Sequence, residues 1–319
     1  MDWEIPTLAD VYEARRRIAP YLRPTPLYSY PAVDQLVGTT VHVKHENHQP
    51  IGAFKVRGGI NLLSQLDGDE RAGVLTASTG NHGQSIAYAA RLFGVPAAVC
   101  VPEGANAIKV ASMQGLGAEV IFHGNDFDDA REHCEQLARE RGWRYVHSAN
   151  EPLLIAGVAT ETLEILEERP STEVVIVPLG GGSGASGACI VAKAINPTIE
   201  VIAVQSEQAP AAFRSWEAGR LVEEKTTTIA EGLATRTAFE LPQRILRDHL
   251  DDFLLVSDEE LLDAQGALIR ATRNLVEAAG AASLAAALRL RDRLAGREVA
   301  LIVSGGNATP QQIVDALSR

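Results

Sequence analysis

Short β-branched runs alternate with amphipathic helical stretches along most of this chain, and that alternation restricts the fold more than any other feature. The runs at 41–44, 74–76, 97–101, 119–122, 174–177, 201–204 and 300–303 read as strands. Runs this apolar suit central strands covered on both faces. Between them, Phe127, Ala130, Cys134, Leu137 and Ala138 share one face of a helix expected over 126–141. Leu261, Leu262, Leu268 and Ile269 mark a later helix, which Asp258 is placed to cap. Strand alternating with helix means parallel sheets in α/β layers. A chain of 319 residues suggests roughly two domains. Residues 73–147 form one compact run of strand–helix units and 174–303 another, while the residues before 73 pair with either on pattern alone.

Charge narrows the partners. A net charge of −12 disfavours nucleic acid and anionic membrane, so an anionic ligand must be held by local dipoles and not by a basic face. No apolar run approaches the roughly 20 residues of a membrane span. The start Met1-Asp2-Trp3-Glu4 lacks the basic and apolar regions of a signal peptide, which points to a cytoplasmic protein. Cys100, Cys134 and Cys189 sit in apolar patterns without a Cys-x-x-Cys pair, as buried small hydrophobes in a reducing compartment do.

Four segments carry chemistry. In Gln49-Pro50-Ile51-Gly52-Ala53-Phe54-Lys55, a helix is expected to begin near Phe54, with Lys55 in its first turn. The helix dipole there disfavours a positive charge, and a neutral amine can form a Schiff base. An isolated lysine in such a place is usually no more than an exposed helix residue. Ala77-Ser78-Thr79-Gly80-Asn81-His82-Gly83 follows a strand and opens a helix, where exposed N–H groups suit a carboxylate; an N-cap and turn would read the same way. Pro178-Leu179-Gly180-Gly181-Gly182-Ser183-Gly184 presents several backbone N–H groups to one anion without needing a lysine. Gly182, Gly184 and Gly187, with Glu207 after the next strand, also fit the dinucleotide-binding pattern, so on this motif alone a nicotinamide oxidoreductase competes. Ser304-Gly305-Gly306-Asn307 leaves the last strand at its carboxyl end, where open parallel sheets bind ligands.

In content, order and spacing, the four segments together resemble the fold type II (β-family) pyridoxal-phosphate enzymes, within the threonine/serine dehydratase and serine racemase branch. The resemblance runs from Thr25-Pro26-Leu27 to Asn307 and displaces the nicotinamide reading. It implies two parallel-sheet three-layer α/β domains with pyridoxal 5'-phosphate in the cleft between them. Residues 1–72 and 148–319 would form the large domain and 73–147 a small mobile one. Carried over, Lys55 would bond the cofactor and later take the Cα proton. Phe54 would cover one face of its ring, with Gly232 leaving room on the other. Asn81 would hydrogen-bond the ring's 3′-oxygen, and Ser304 would meet the ring nitrogen. Gly180, Gly181, Gly182, Ser183 and Gly184 would cradle the phosphate. Ser78, Thr79, Asn81 and His82 would hold the substrate carboxylate, and Glu277 matches a family glutamate near the active site.

Three departures bear on this. Ala53 and Ser183 replace a common serine and a common glycine. Thr79 stands where racemases place a serine acid/base, and its added methyl disfavours racemization. In addition, Gln205 and Ala211 stand at positions where racemase-like members carry acidic metal ligands, so no metal is expected. The activity implied is elimination of water and ammonia from L-threonine or L-serine, giving a 2-oxo acid. The alternatives are a serine racemase, a hydroxyaspartate or phenylserine dehydratase and, more remotely, a non-catalytic cofactor-binding protein. The partner is a small hydroxy amino acid, and relatives imply a homo-oligomer, dimer or tetramer.

Overall fold

The computed structural model describes residues 3–125 and 127–319, the side chain of Asp128 apart. The Met1-Asp2 start and the expected helix start at Asp126 lie outside the described residues. In chain order the strands are β1 Leu27–Ser29, β2 Thr40–His45, β3 Val74–Ala77, β4 Ala97–Val101, β5 Glu119–Phe122, β6 Arg144–Tyr145, β7 Val174–Pro178, β8 Glu200–Ser206, β9 Asp252–Val256 and β10 Glu298–Val303. They form two sheets, β1-β2-β10-β7-β8-β9 and β5-β4-β3-β6. Every pairing is parallel except β1 with β2, an antiparallel edge.

Alternation within the strands explains the layers. In the larger sheet Val175, Val177, Val201, Ala300 and Ile302 pack with Ile155, Ala188 and Ile245 of covering helices. Their neighbours Val174, Ile176, Ile202, Val299 and Leu301 pack on the opposite side with Leu261, Ala282 and Leu284. Both faces are therefore dry, and the runs lack polar alternation for that reason. In the smaller sheet Val74 and Val99 face Ile60, Ile86 and Met113, while Leu75, Ala98 and Cys100 face Cys134 and Ala138. The core around Val74 also recruits Ala14, Ile18, Leu154 and Ala156. Residue 73 thus separates two sheets but not two cores.

Three expectations change in detail. The helix after Lys55 spans Val56–Leu63, and Lys55 is its N-cap residue. The helix Asp258–Thr272 is capped by Ser257, whose hydroxyl accepts from the Glu260 N–H while Glu260 reaches back; Asp258 is the first helical residue. The run at 119–122 is an edge strand with partly exposed side chains, not a central one. Gly187, the third glycine of the dinucleotide pattern, serves close packing, since a Cβ there would lie 2.8 Å from Ala159 Cα. All three cysteines are buried and free. Among the described residues no helix is long and apolar enough to cross a membrane.

Candidate active site

The carboxyl ends of β3, β7 and β10 open, with the turn that carries Lys55, into one cleft of about 270 Å³. Every site residue expected from the sequence lines it, although those residues come from segments far apart along the chain. The turn is pinned from below. Phe54 N–H donates to Ser304 O at 3.0 Å, Gly306 N–H donates to Gly52 O at 2.9 Å, and Ala53 bridges Gly305.

Lys55 Nζ donates to Ser183 Oγ at 2.7 Å and to Ser148 O at 3.5 Å. Burial pushes its pKa down from 10.5 to about 8, against the opposing pull of buried Glu161. Burial therefore enlarges the fraction of this amine in its neutral form. Phe54 lies beside it, with Lys55 Nζ 5.1 Å from the ring centroid.

The glycine turn after β7 leads into the helix Ser183–Ile195, whose first turn no side chain caps. Its leading N–H groups are donors without helix partners, aimed where an anion is favoured. Glycine is required sterically as well. A Cβ on Gly180 would lie 2.1 Å from Gly232 O, and Gly182 adopts a φ of 96° with Pro242 Cβ 2.8 Å from any added Cβ. A methyl on Gly232 would in turn meet Ala279 Cβ at 2.8 Å.

At the end of β3 the side chains do less and the backbone more. Ser78 Oγ accepts from the N–H groups of Gly80 and Gly83 at 3.2 and 3.0 Å, and so holds the start of helix Asn81–Phe93. His82 turns its Nε2 to Thr76 Oγ1 at 2.8 Å. Burial, with Lys55 nearby, depresses its pKa to about 3, so the ring is neutral. Thr79 is half-buried on the cleft wall.

Asn81 is held at both ends. Its Nδ2 donates to Glu277 Oε1 at 2.8 Å, and its Oδ1 accepts from Asn307 Nδ2 at 2.7 Å. Glu277 is buried, and burial raises its pKa against the help of Lys109 and Asn81. Ser304 is buried on the cleft wall at the end of β10.

Sequence reading missed several participants. Asn307 lay inside a quoted motif but received no role. Lys109 pairs with Glu231 across the cleft, joining the helix Ala107–Gly115 to the turn Glu231–Leu233. Arg131 and Arg236 also line the cleft. An isolated basic residue on a helix or in a loop carries no sequence mark that it lines a cleft. Gln205 Oε1 accepts from Phe213 N–H at 3.1 Å and its Nε2 donates to Thr235 Oγ1 at 3.4 Å, so its amide is engaged within the protein. Glu207 points to Arg289 at 3.1 Å on the surface, away from the glycine turn's cleft.

Residues 18–305 match the family described as pyridoxal-phosphate dependent enzyme. The chain belongs to this family. It is 38% identical over 303 residues to an L-threonine ammonia-lyase of Thermotoga maritima, covering 94% of this chain and 75% of that enzyme. It is 35% identical to an L-threo-3-hydroxyaspartate ammonia-lyase of Saccharomyces cerevisiae, covering 98% of this chain and 97% of that one. The structure of maize serine racemase superposes with a TM-score of 0.92 at 33% identity, covering 99% of this chain and 98% of that chain. Among such enzymes this chain's cleft suits the family cofactor on its own observations. It offers an uncapped helix start for a phosphate, a glycine cradle that a Cβ on Gly180 or Gly182 would disrupt, and a buried lysine whose pKa is lowered to about 8.

Proposed function

We propose that the chain is an ammonia-lyase acting on L-threonine and L-serine, producing 2-oxobutanoate or pyruvate with ammonia. The observation that carries this reading is the meeting of the Lys55 amine with the glycine turn in a single cleft. Relatives of that activity match over nearly the whole chain.

Pyridoxal phosphate, when bound, supplies an aldehyde carbon for a primary amine and a ring that accepts electron density from the amino acid Cα. The N–H groups of Gly180, Gly181, Gly182, Ser183 and Gly184 would hold the phosphate. Phe54 and Gly232 would flank the ring, and Asn81 would donate to the ring oxygen. Ser304 would offer a neutral hydroxyl to the ring nitrogen, a weaker partner for a ring that accepts electron density than an acidic side chain would be. Backbone N–H groups of Ser78, Thr79, Asn81 and His82 receive the substrate carboxylate. Glu277 contributes through Asn81. Lys55 Nζ takes the Cα proton, which needs an amine that is neutral at working pH. Thr79 offers a hydroxyl hindered by its methyl, so proton return on the opposite face of Cα is slow and racemization is minor.

We assign residues 1–72 and 148–319 to a large cofactor-holding domain and 73–147 to a small mobile one. The Lys109–Glu231 pair draws the two together and limits water. The protein works in the cytoplasm as a dimer or tetramer.

A second reading has specific support. Lys109, Arg131 and Arg236 line the cleft of an otherwise acidic chain, and the hydroxyaspartate ammonia-lyase matches end to end. A substrate with a second carboxylate suits that lining. The deciding experiment is an assay of purified protein for ammonia and 2-oxo acid on L-threonine, L-serine, 3-hydroxyaspartate and phenylserine. Highest kcat/KM on L-threonine or L-serine supports the first reading, and highest on 3-hydroxyaspartate replaces it with the second. Turnover of none refutes both.

A further inference from the structure

Polarity in this site is set outside the cleft. The carbonyl of Ile51 can only accept a hydrogen bond, and Asn307 Nδ2 donates to it at 2.9 Å. The second hydrogen of that amino group goes to Asn81 Oδ1 at 2.7 Å. The Asn81 oxygen is thereby committed, and its amino group faces Glu277 Oε1 at 2.8 Å. An amino group carries two hydrogens. Glu277 takes one, and the other remains for the cleft. Rotating the Asn81 amide by half a turn would oppose two amino groups at Asn307 and two oxygens at Glu277, which is the worse arrangement at both ends.

We propose that Asn307 is a positioning residue that sets which end of the Asn81 amide faces the cofactor. The fixed polarity of one backbone carbonyl is relayed through two side-chain amides to the cleft. Asn307 also spaces the turn that bears Lys55. Gly52 adopts a φ of 68°, and a Cβ there would lie 2.7 Å from Asn307 Oδ1. One amide thus registers the lysine turn, the start of helix Asn81–Phe93 and the end of β10. The inference rests on the reading of Asn81 as a donor to the cofactor ring oxygen.

The test uses holoenzyme carrying Asn307→Asp, Asn81→Ala or both. Asp has the shape of Asn but no donor, so the Asn81 amide must turn to donate toward it. Absorbance of the Lys55-bound cofactor, its pH titration and its retention on dialysis are the readouts. Asn307→Asp is expected to move the titration midpoint by about one pH unit and to weaken retention about tenfold, the weight of one charge-assisted hydrogen bond. In the Asn81→Ala background the same substitution should move the titration midpoint much less, since only the contact with the lysine turn remains to be lost. An unchanged spectrum in Asn307→Asp, or full additivity in the double variant, overturns the proposal. If the Asp variant does not fold, proton exchange of the Asn307 side-chain amide in asparagine-labelled unsubstituted protein decides: slow exchange supports the relay and free exchange overturns it. A parent protein without any cofactor absorbance would sink the cofactor reading itself, whereas a normal parent with an unaffected variant sinks only the role of Asn307.

Discussion

Lys55 Nζ and Ser183 Oγ are 2.7 Å apart, so the reactive amine touches the same turn that offers its backbone to an anion. Residues 128 positions apart in sequence thereby meet at one place in the cleft. Since the cradle is made of backbone N–H groups, the Ser183 hydroxyl is dispensable. Ser183→Gly should retain cofactor absorbance and keep kcat within about tenfold of the parent, one neutral hydrogen bond being worth no more. Steady-state kinetics and the spectrum check this together.

The depressed pKa of Lys55 has a signed consequence. A group lowered from 10.5 to about 8 is unprotonated over a wider range, and only that form attacks an aldehyde. The rate at which apoprotein captures added pyridoxal phosphate should rise about tenfold per pH unit below pH 8 and level off above it. Stopped-flow absorbance across pH gives the profile. A rise that continues unabated to pH 10 would show that burial does not perturb this amine.

Gly180 leaves no room for a side chain, given Gly232 O at 2.1 Å from an added Cβ. Gly180→Ala should destabilise the fold by about 1–3 kcal/mol, as overpacking does, and shed cofactor on dialysis. Urea unfolding monitored by circular dichroism measures the first effect and absorbance the second.

Below the site, Arg57 bonds Glu46 at 2.7 Å and Glu164 at 2.6 Å, while Lys44 bonds Glu164 at 2.6 Å, all buried or nearly so. Burial pushes the Glu46 carboxyl up, but Arg57 outweighs it and holds the pKa near 2. A depressed carboxylate pKa stabilises the fold above the ordinary value of 4.5, and that stability drains away as pH falls toward 2. Arg57→Met strands Glu46 and should cost about 3–5 kcal/mol at neutral pH. It should also flatten the acid limb of stability, which thermal melts at several pH values will show.

Much of this was legible beforehand, for identifiable reasons. The runs at 97–101 and 119–122 match β4 and β5 because β-branched strands end at glycine or proline. Strand β9 escaped notice because it opens on Asp252, directly after another aspartate, and lies at a sheet edge, where burial does not demand a longer apolar run. Strands β1 and β6 are too short to show a period. The glycine turn was visible as a motif because backbone geometry needs glycine at Gly180 and Gly182, and Lys55 and Ser304 stood out through the glycine-bearing segments around them. The inward turn of His82, the Lys109–Glu231 clasp and the pairing of Asn307 with Asn81 depend on tertiary distance, which local spacing does not encode.

Lys55 is the residue on which everything turns. Lys55→Ala protein, shown folded by circular dichroism, should bind pyridoxal phosphate without a covalent chromophore and form 2-oxo acid from L-threonine at least about a thousandfold more slowly than the parent. Undiminished 2-oxo acid formation by that variant would contradict the account.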